Sequence, residues 1–97
     1  MIQVEEALKQ SAEVYAARQK QYGDSYKTVG NIMAALFPDF KAATVKDHTR
    51  LHLVGWMVGK LCRYAESVRR GEASDDSLKD LSVYAMMLYC EEKNHEN

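Results

Sequence analysis

The stretch TVKDHTRLHLVGWMVGKLCRYAESVRRG, residues 44–71, decides the fold, because it predicts one helix long enough to run the length of a small domain. Thr44 and Asp47 stand at the spacing of a capping box, with aspartate in place of the usual glutamate, and predict where this helix begins. Gly71 predicts its end, because it follows two arginines and glycine readily adopts the left-handed conformation after a helix.

Apolar side chains in this helix recur at alternating steps of three and four residues, which is typical of a continuous packing seam. The seam consists of Leu51, Val54, Val58, Leu61, Ala65 and Val68. Leu61 lies near its middle, so the pattern predicts that Leu61 is buried.

Three further helices flank the long one, at about residues 2–22, 26–37 and 75–90, and no strand pattern occurs. Their inward stripes are Val4, Leu8, Tyr15 and Tyr22 in the first, Val29, Ile32, Met33 and Leu36 in the second, and Leu78, Leu81, Ala85, Leu88 and Tyr89 in the last. The chain is therefore predicted to be a single all-α domain, a four-helix bundle with its core within about residues 2–90 and a charged tail at 91–97.

Composition narrows the classes of function. The chain has 97 residues, is 46% hydrophobic and carries a net charge of −1, which fits a globular domain and argues against binding duplex nucleic acid through a basic surface. No apolar run approaches the roughly 20 residues of a membrane-spanning helix, and the N-terminus does not resemble a signal peptide. Cys62 and Cys90 lie inside helical patterns and are predicted to be reduced core thiols, which favours a cytoplasmic location.

The long helix carries a second face, about 180° from the seam, that a small core does not require. It contains His52, Trp56, Gly59, Lys60 and Arg63, with Gly55 nearby. Lys60 and Arg63 are one turn apart and hold either phosphate oxygens or ion pairs with aspartates. Trp56 either stacks on a nucleotide base or packs as a half-buried core side chain.

The last helix also has a second face, which is acidic at its start and apolar at its end: Asp76, Asp80, Val83 and Met87, with Tyr84 adjacent. The two aspartates can reach one cation; alternatively, Asp76 serves the helix dipole and Asp80 pairs with Lys60 or Arg63. Faces of this kind become buried against a ligand, a second subunit or both. We therefore expect a homo-oligomer, either a dimer or a tetramer.

Three segments occur in a recognisable order: KQYGDS at 20–25, KLCR at 60–63 and DSLKDLSVYA at 76–85. Together they resemble the phage and prophage "nucleotide modification associated" domain family, which is similar in turn to the all-α nucleotide pyrophosphohydrolases of the MazG type. The resemblance implies a four-helix fold, oligomerisation through helices and a nucleotide-sized pocket between acidic and basic helix faces.

The resemblance also implies roles for individual residues. It assigns magnesium and catalysis to Asp76 and Asp80, with Glu72 as a further magnesium ligand, and phosphate oxygens to Lys60 and Arg63. The remaining substrate contacts would come from Lys20, Tyr22, Trp56 and Tyr84.

One departure from the MazG pattern bears on activity. Those enzymes carry acidic Glu-Glu-x-x-Glu and Glu-x-x-Asp helices, whereas Lys60 and Arg63 stand here where carboxylates would be expected. A magnesium-dependent nucleotide pyrophosphohydrolase and a metal-free nucleotide-binding protein therefore both stay open. The alternative hypothesis belongs to a different class of function. It is that the chain is a small, non-enzymatic phage effector that binds a host protein or sequesters a nucleotide.

Overall fold

The chain forms four α-helices in the computed structural model, which describes residues 2–22, 25–72 and 75–94, and the side chains of all of these except 20–22, 25 and 75. The helices are α1 (Val4–Tyr22), α2 (Ser25–Leu36), α3 (Val45–Arg69) and α4 (Asp75–Asn94). No strand occurs in these ranges, so the predicted all-α, four-helix class is confirmed. None of the helices described is both long and apolar enough to cross a bilayer.

Local signals fix the two ends of α3 as predicted. At its start the N–H of Asp47 donates to Thr44 Oγ1 at 3.1 Å, and the N–H of Thr44 donates to Asp47 Oδ2 at 3.3 Å. These are the two reciprocal bonds of a capping box. At its end Gly71 adopts a φ of 75°, a conformation that suits glycine, and its N–H donates to the carbonyl of Val68.

The long α3 helix is central: it packs most extensively on α4, less on α2 and only slightly on α1. Leu53 and Val58 are its buried apolar side chains, whereas Leu61 is 48% exposed and Val68 is 54% exposed. The predicted burial of Leu61 is therefore wrong. Apolar side chains lie on more than one side of α3, and its rotation is set by α4, which packs against the face that includes Trp56 and Lys60.

The stripe predicted for the first helix is not buried either. Val4 is 72% exposed, Leu8 65% and Tyr15 54%, because α1 makes so little contact with the rest of the chain. Elsewhere the predicted stripes are buried only in part. Leu36 in α2, and Leu78 and Tyr89 in α4, are exposed, while the other members of those two stripes are half-buried.

Candidate functional site

The antiparallel register of α3 and α4 brings the second faces of the two helices together. Trp56 and Tyr84 pack with ring centroids 5.1 Å apart, and one turn further along, Lys60 Nζ lies 2.9 Å from Asp80 Oδ2. Each four-residue step towards the end of α3 is thus matched by a four-residue step towards the start of α4. The next four-residue step sets Tyr64 level with Asp76, and Arg63 is the residue just before Tyr64. We call Trp56, Lys60 and Arg63 with Asp76, Asp80 and Tyr84 the α3–α4 ladder.

Trp56 forms the aromatic end of the ladder. Its ring packs against His52 on one side, at 4.1 Å between centroids, and against Tyr84 across the helix pair. The side chain nevertheless stays 45% exposed. It is therefore anchored by two neighbours yet keeps ring surface open, which agrees with either of the two roles considered for it from the sequence.

Lys60 and Asp80 form the ion pair that the sequence left as an alternative to ligand binding. The lysine side chain is 18% exposed and that of Asp80 is 49% exposed. Solvent screens a pair of this kind, so it contributes about 1 kcal/mol or less and can exchange partners. An incoming anion could therefore take the place of Asp80 on Lys60 at little cost.

The predicted carboxylate ligands do not gather into one cluster. Asp76 is exposed, Asp80 is paired with Lys60, and Glu72 lies 3.8 Å from Arg70 in the turn after α3. Across the described part of the chain, no three His, Cys, Asp or Glu side chains are close enough together to hold a metal ion. Two carboxylates one turn apart on α4 fit a magnesium ion that arrives already bound to phosphates, rather than a resident one.

Two of the predicted site residues lie outside the described side chains. α1 runs as far as Tyr22, but the side chains of Lys20 and Tyr22 are not among those described, and neither are Gly23 and Asp24. The substrate contacts that the resemblance implies for Lys20 and Tyr22 therefore stay predictions.

A large apolar groove lies beside the ladder, and the sequence reasoning found it only in part. It has a volume of about 900 Å³ and lies between α3 and α4. Its lining is Thr49, His52, Leu53, Trp56, Ser82, Val83, Met86, Met87, Cys90 and Glu91, and we call it the α3–α4 groove. The sequence pattern predicts the outward positions of Val83 and Met87 but not that of Met86.

The two cysteines differ in environment. Cys62 is free and half-buried, and burial raises the pKa of its thiol, against a smaller opposing effect of Arg69. Cys90 is free and exposed at the groove, so its predicted place in the core is wrong. The helical spacing that suggested burial of Cys90 instead puts it on the outward side of α4.

Gly55 and Gly59 are one turn apart on α3, a spacing that permits close approach of a second helix and predicts packing, including packing across a dimer. A methyl group placed on the Cα of either glycine would meet no atom of another described helix within 4 Å. The close approach therefore does not occur among the described helices, and contact across an oligomer stays a prediction.

Comparison with protein families, with curated proteins and with solved structures finds nothing that matches this chain.

Proposed function

We propose that this chain is a phage-type, MazG-like nucleotide-binding domain whose site is the α3–α4 ladder. The observation that carries the proposal is the pairing of Lys60 with Asp80 one turn from the partly exposed ring of Trp56. A cation beside an open aromatic surface matches the two parts of a nucleotide, an anionic phosphate chain and a flat base.

The phosphate chain would lie on the basic residues of α3. Lys60 provides a point charge that can exchange Asp80 for a phosphate oxygen, and Arg63, one turn further along, provides a planar donor suited to phosphate. This exchange would release Asp80 beside Asp76. The two carboxylates would then hold the magnesium ion that accompanies the nucleotide, with Glu72 as a further candidate ligand.

The base and sugar would lie on the aromatic residues. Trp56 keeps 45% of its surface exposed while His52 and Tyr84 fix its ring, so stacking of a base would need little reorganisation. Tyr84 would contribute from α4, and Lys20 and Tyr22 from the end of α1, as the resemblance implies.

We extend the proposal from nucleotide binding to hydrolysis of the bound nucleoside triphosphate. In a pyrophosphohydrolase, water adds to a phosphorus of the triphosphate, the phosphoanhydride bond breaks, and a monophosphate and pyrophosphate leave. Magnesium, when bound, would polarise the phosphoryl group, while Lys60 and Arg63 would offset the charge on its oxygens. Asp76 and Asp80 are the residues to which we assign the catalytic role.

A second candidate function is favoured by the α3–α4 groove, which offers an apolar surface to a macromolecule. In this alternative the chain is a non-enzymatic phage effector that binds a host protein or sequesters a nucleotide without turnover. Both alternatives include a cytoplasmic location and assembly into a dimer or tetramer.

Thermal-shift measurements with each ribo- and deoxyribonucleoside triphosphate, with and without magnesium, test the proposal. A ligand at 100 times its Kd stabilises the folded chain by about 2.7 kcal/mol, which raises the Tm by roughly 10–20 °C. Stabilisation only with magnesium favours the enzyme, and stabilisation without it favours sequestration. No stabilisation by any nucleotide would contradict nucleotide binding and favour a protein partner.

A matched pair of arginine variants tests whether the nucleotide-dependent rise in Tm comes from binding at the ladder. Arg63→Gln removes a ladder residue, whereas Arg69→Gln removes an arginine of the same helix that pairs with Glu66 and is 74% exposed. We expect Arg63→Gln to lose the nucleotide shift and Arg69→Gln to keep it. Equal shifts in both variants would contradict the assignment of the site to the ladder.

A further inference from the structure

This chain exposes more surface than a compact monomer of its size. Its accessible surface is 7385 Å², whereas a folded monomer of 11.1 kDa exposes about 5,700 Å². Its radius of gyration is 16.9 Å, against about 12.5 Å for a compact domain of this length. The excess of about 1,700 Å² is larger than the roughly 800 Å² per partner that a stable interface buries.

Part of this excess lies along the outer side of α4, at the α3–α4 groove. Val83 is 55% exposed, Met86 64% and Met87 47%. Methionine side chains are enriched in protein interfaces, so the α4 side of the groove has the composition of an interface.

The outer side of α4 also has the spacing of a helix–helix seam. Lys79, Val83, Met86, Cys90 and Lys93 follow one another at steps of four, three, four and three residues, and all are exposed. Alternation of this kind keeps one stripe facing a partner helix. The stripe is apolar in its middle and ends in a lysine on each side.

We propose that two copies of the chain pair through the α4 side of the α3–α4 groove about a two-fold axis, with α4 of each copy antiparallel to α4 of the other. Met86 lies near the axis, and Val83 lies opposite the partner's Cys90. A two-fold interface uses the same patch on both subunits, so the outer stripe of α4 in each copy packs on the same stripe of the other.

The lysines at the two ends of the stripe favour one relative direction of the paired α4 helices. Parallel helices would set Lys79 against Lys79 and Lys93 against Lys93, which is unfavourable. The antiparallel arrangement sets Lys79 level with the partner's Asn94 and so separates these like charges. The inference concerns assembly and does not depend on nucleotide binding.

Two matched valine variants test the interface. Val83→Glu alters the stripe, and Val68→Glu makes the same change at a valine of almost equal exposure, 54% against 55%, outside the groove. Sedimentation at micromolar concentration should show about twice the 11.1 kDa chain mass for the wild type and for Val68→Glu, and the chain mass itself for Val83→Glu. Circular dichroism checks that both variants are folded.

A monomeric wild type, or a Val83→Glu variant that sediments as the wild type does, would overturn the proposal. If Leu8→Glu on α1 dissociates the assembly and Val83→Glu does not, the interface involves α1 and the proposal is wrong. None of these samples contains a nucleotide, so failure here leaves the proposed function standing, and the reverse also holds.

Oxidative cross-linking tests the direction, in a Cys62→Ser background that leaves Cys90 as the remaining native thiol. With oxidised glutathione as the oxidant, Val83→Cys should form a disulfide with the partner's Cys90, each bond releasing two protons and two electrons. Positions 83 and 90 are two turns apart on one helix, too far for a bond within the chain. Cross-linking through Cys90 alone, without the Val83→Cys change, would indicate parallel helices and overturn the antiparallel arrangement.

Discussion

Lys60 Nζ lies 2.9 Å from Asp80 Oδ2, across the two helices that pack most extensively against each other in the described chain. The pair joins a half-buried lysine to a carboxylate that is 49% exposed. It is accessible enough for an anion to displace the carboxylate, and it stands one turn from the exposed ring of Trp56. The proposed nucleotide site depends on this exchange.

Asp80→Asn separates a ligand site from a purely structural pair. Because the carboxylate is half exposed, we expect the free energy of unfolding without ligand to fall by about 1 kcal/mol or less. The magnesium-dependent part of the nucleotide shift should disappear, because one of the two carboxylates on α4 is lost. Chemical denaturation with and without nucleotide and magnesium gives both quantities.

The control for that change is Glu66→Gln, which neutralises a carboxylate paired with Arg69 outside the ladder. It should leave the nucleotide shift intact. If the free energy of unfolding of Asp80→Asn falls by several kcal/mol with no ligand present, the ligand-site assignment is contradicted, and Lys60 and Asp80 form only a structural pair.

Leu53→Ala and Leu61→Ala test the rotation of α3. Leu53 is 4% exposed, so its truncation should cost about 2–5 kcal/mol, whereas Leu61 is 48% exposed and should cost less than about 1 kcal/mol. Urea denaturation of the two variants measures the difference. A larger loss for Leu61→Ala would restore the seam first predicted from the sequence.

Asp47 should make the stability of the chain depend on acid. The N–H of Ala43 donates to its carboxylate at 3.0 Å and, with the N–H and hydroxyl of Thr44 and with Arg50, holds the pKa of Asp47 below its ordinary value of 3.8. The ionised carboxylate therefore stabilises the folded chain above about pH 4, and this stabilisation is lost as the pH falls through the lower, folded-state pKa.

The Asp47→Asn variant measures that effect. Its urea midpoint should lie below that of the wild type at about pH 7, and the two midpoints should converge as the medium becomes more acidic than about pH 3. A difference that stays the same across this range would show that the charge of Asp47 does not stabilise the helix start.

Arg50 holds the end of α4 against the start of α3. Its Nε donates to Glu92 Oε1 at 2.6 Å and its terminal nitrogen donates to Oε2 at 2.9 Å, and this pairing raises the pKa of the guanidinium. Arg50→Lys keeps the charge but loses the bidentate pairing with Glu92. Amide hydrogen exchange should accelerate in the last two turns of α4 and stay unchanged in its first turns; uniform acceleration would contradict this local role.

Local chemistry made part of the fold predictable. Thr44, Asp47 and Gly71 act on their own neighbours, so the ends of α3 could be derived from short patterns without knowledge of packing. The rotation of α3 could not be derived in this way, because α3 has apolar side chains on several sides. Its packing against α4 and α2 buries Leu53 and leaves Leu61 exposed. The exposure of Val4 and Leu8 was missed for a related reason, since burial depends on what covers a helix and not on its own spacing.

The candidate site was predictable as a set of residues but not as a geometry. Helical spacing correctly grouped Lys60 with Arg63 and Asp76 with Asp80, each pair one turn apart. It could not tell whether Lys60 and Asp80 meet, because that depends on the register between α3 and α4. Met86 was missed because its outward position follows from the same packing.

Phosphorus NMR tests the central claim, nucleotide binding at the ladder, most directly. Each deoxynucleoside triphosphate, with magnesium, is observed alone and with the wild type, Arg63→Gln or Arg69→Gln. The account predicts that, for at least one nucleotide, the wild type and Arg69→Gln shift or broaden the phosphate resonances and Arg63→Gln does not. Phosphate resonances that the wild type leaves unchanged for every nucleotide would contradict it.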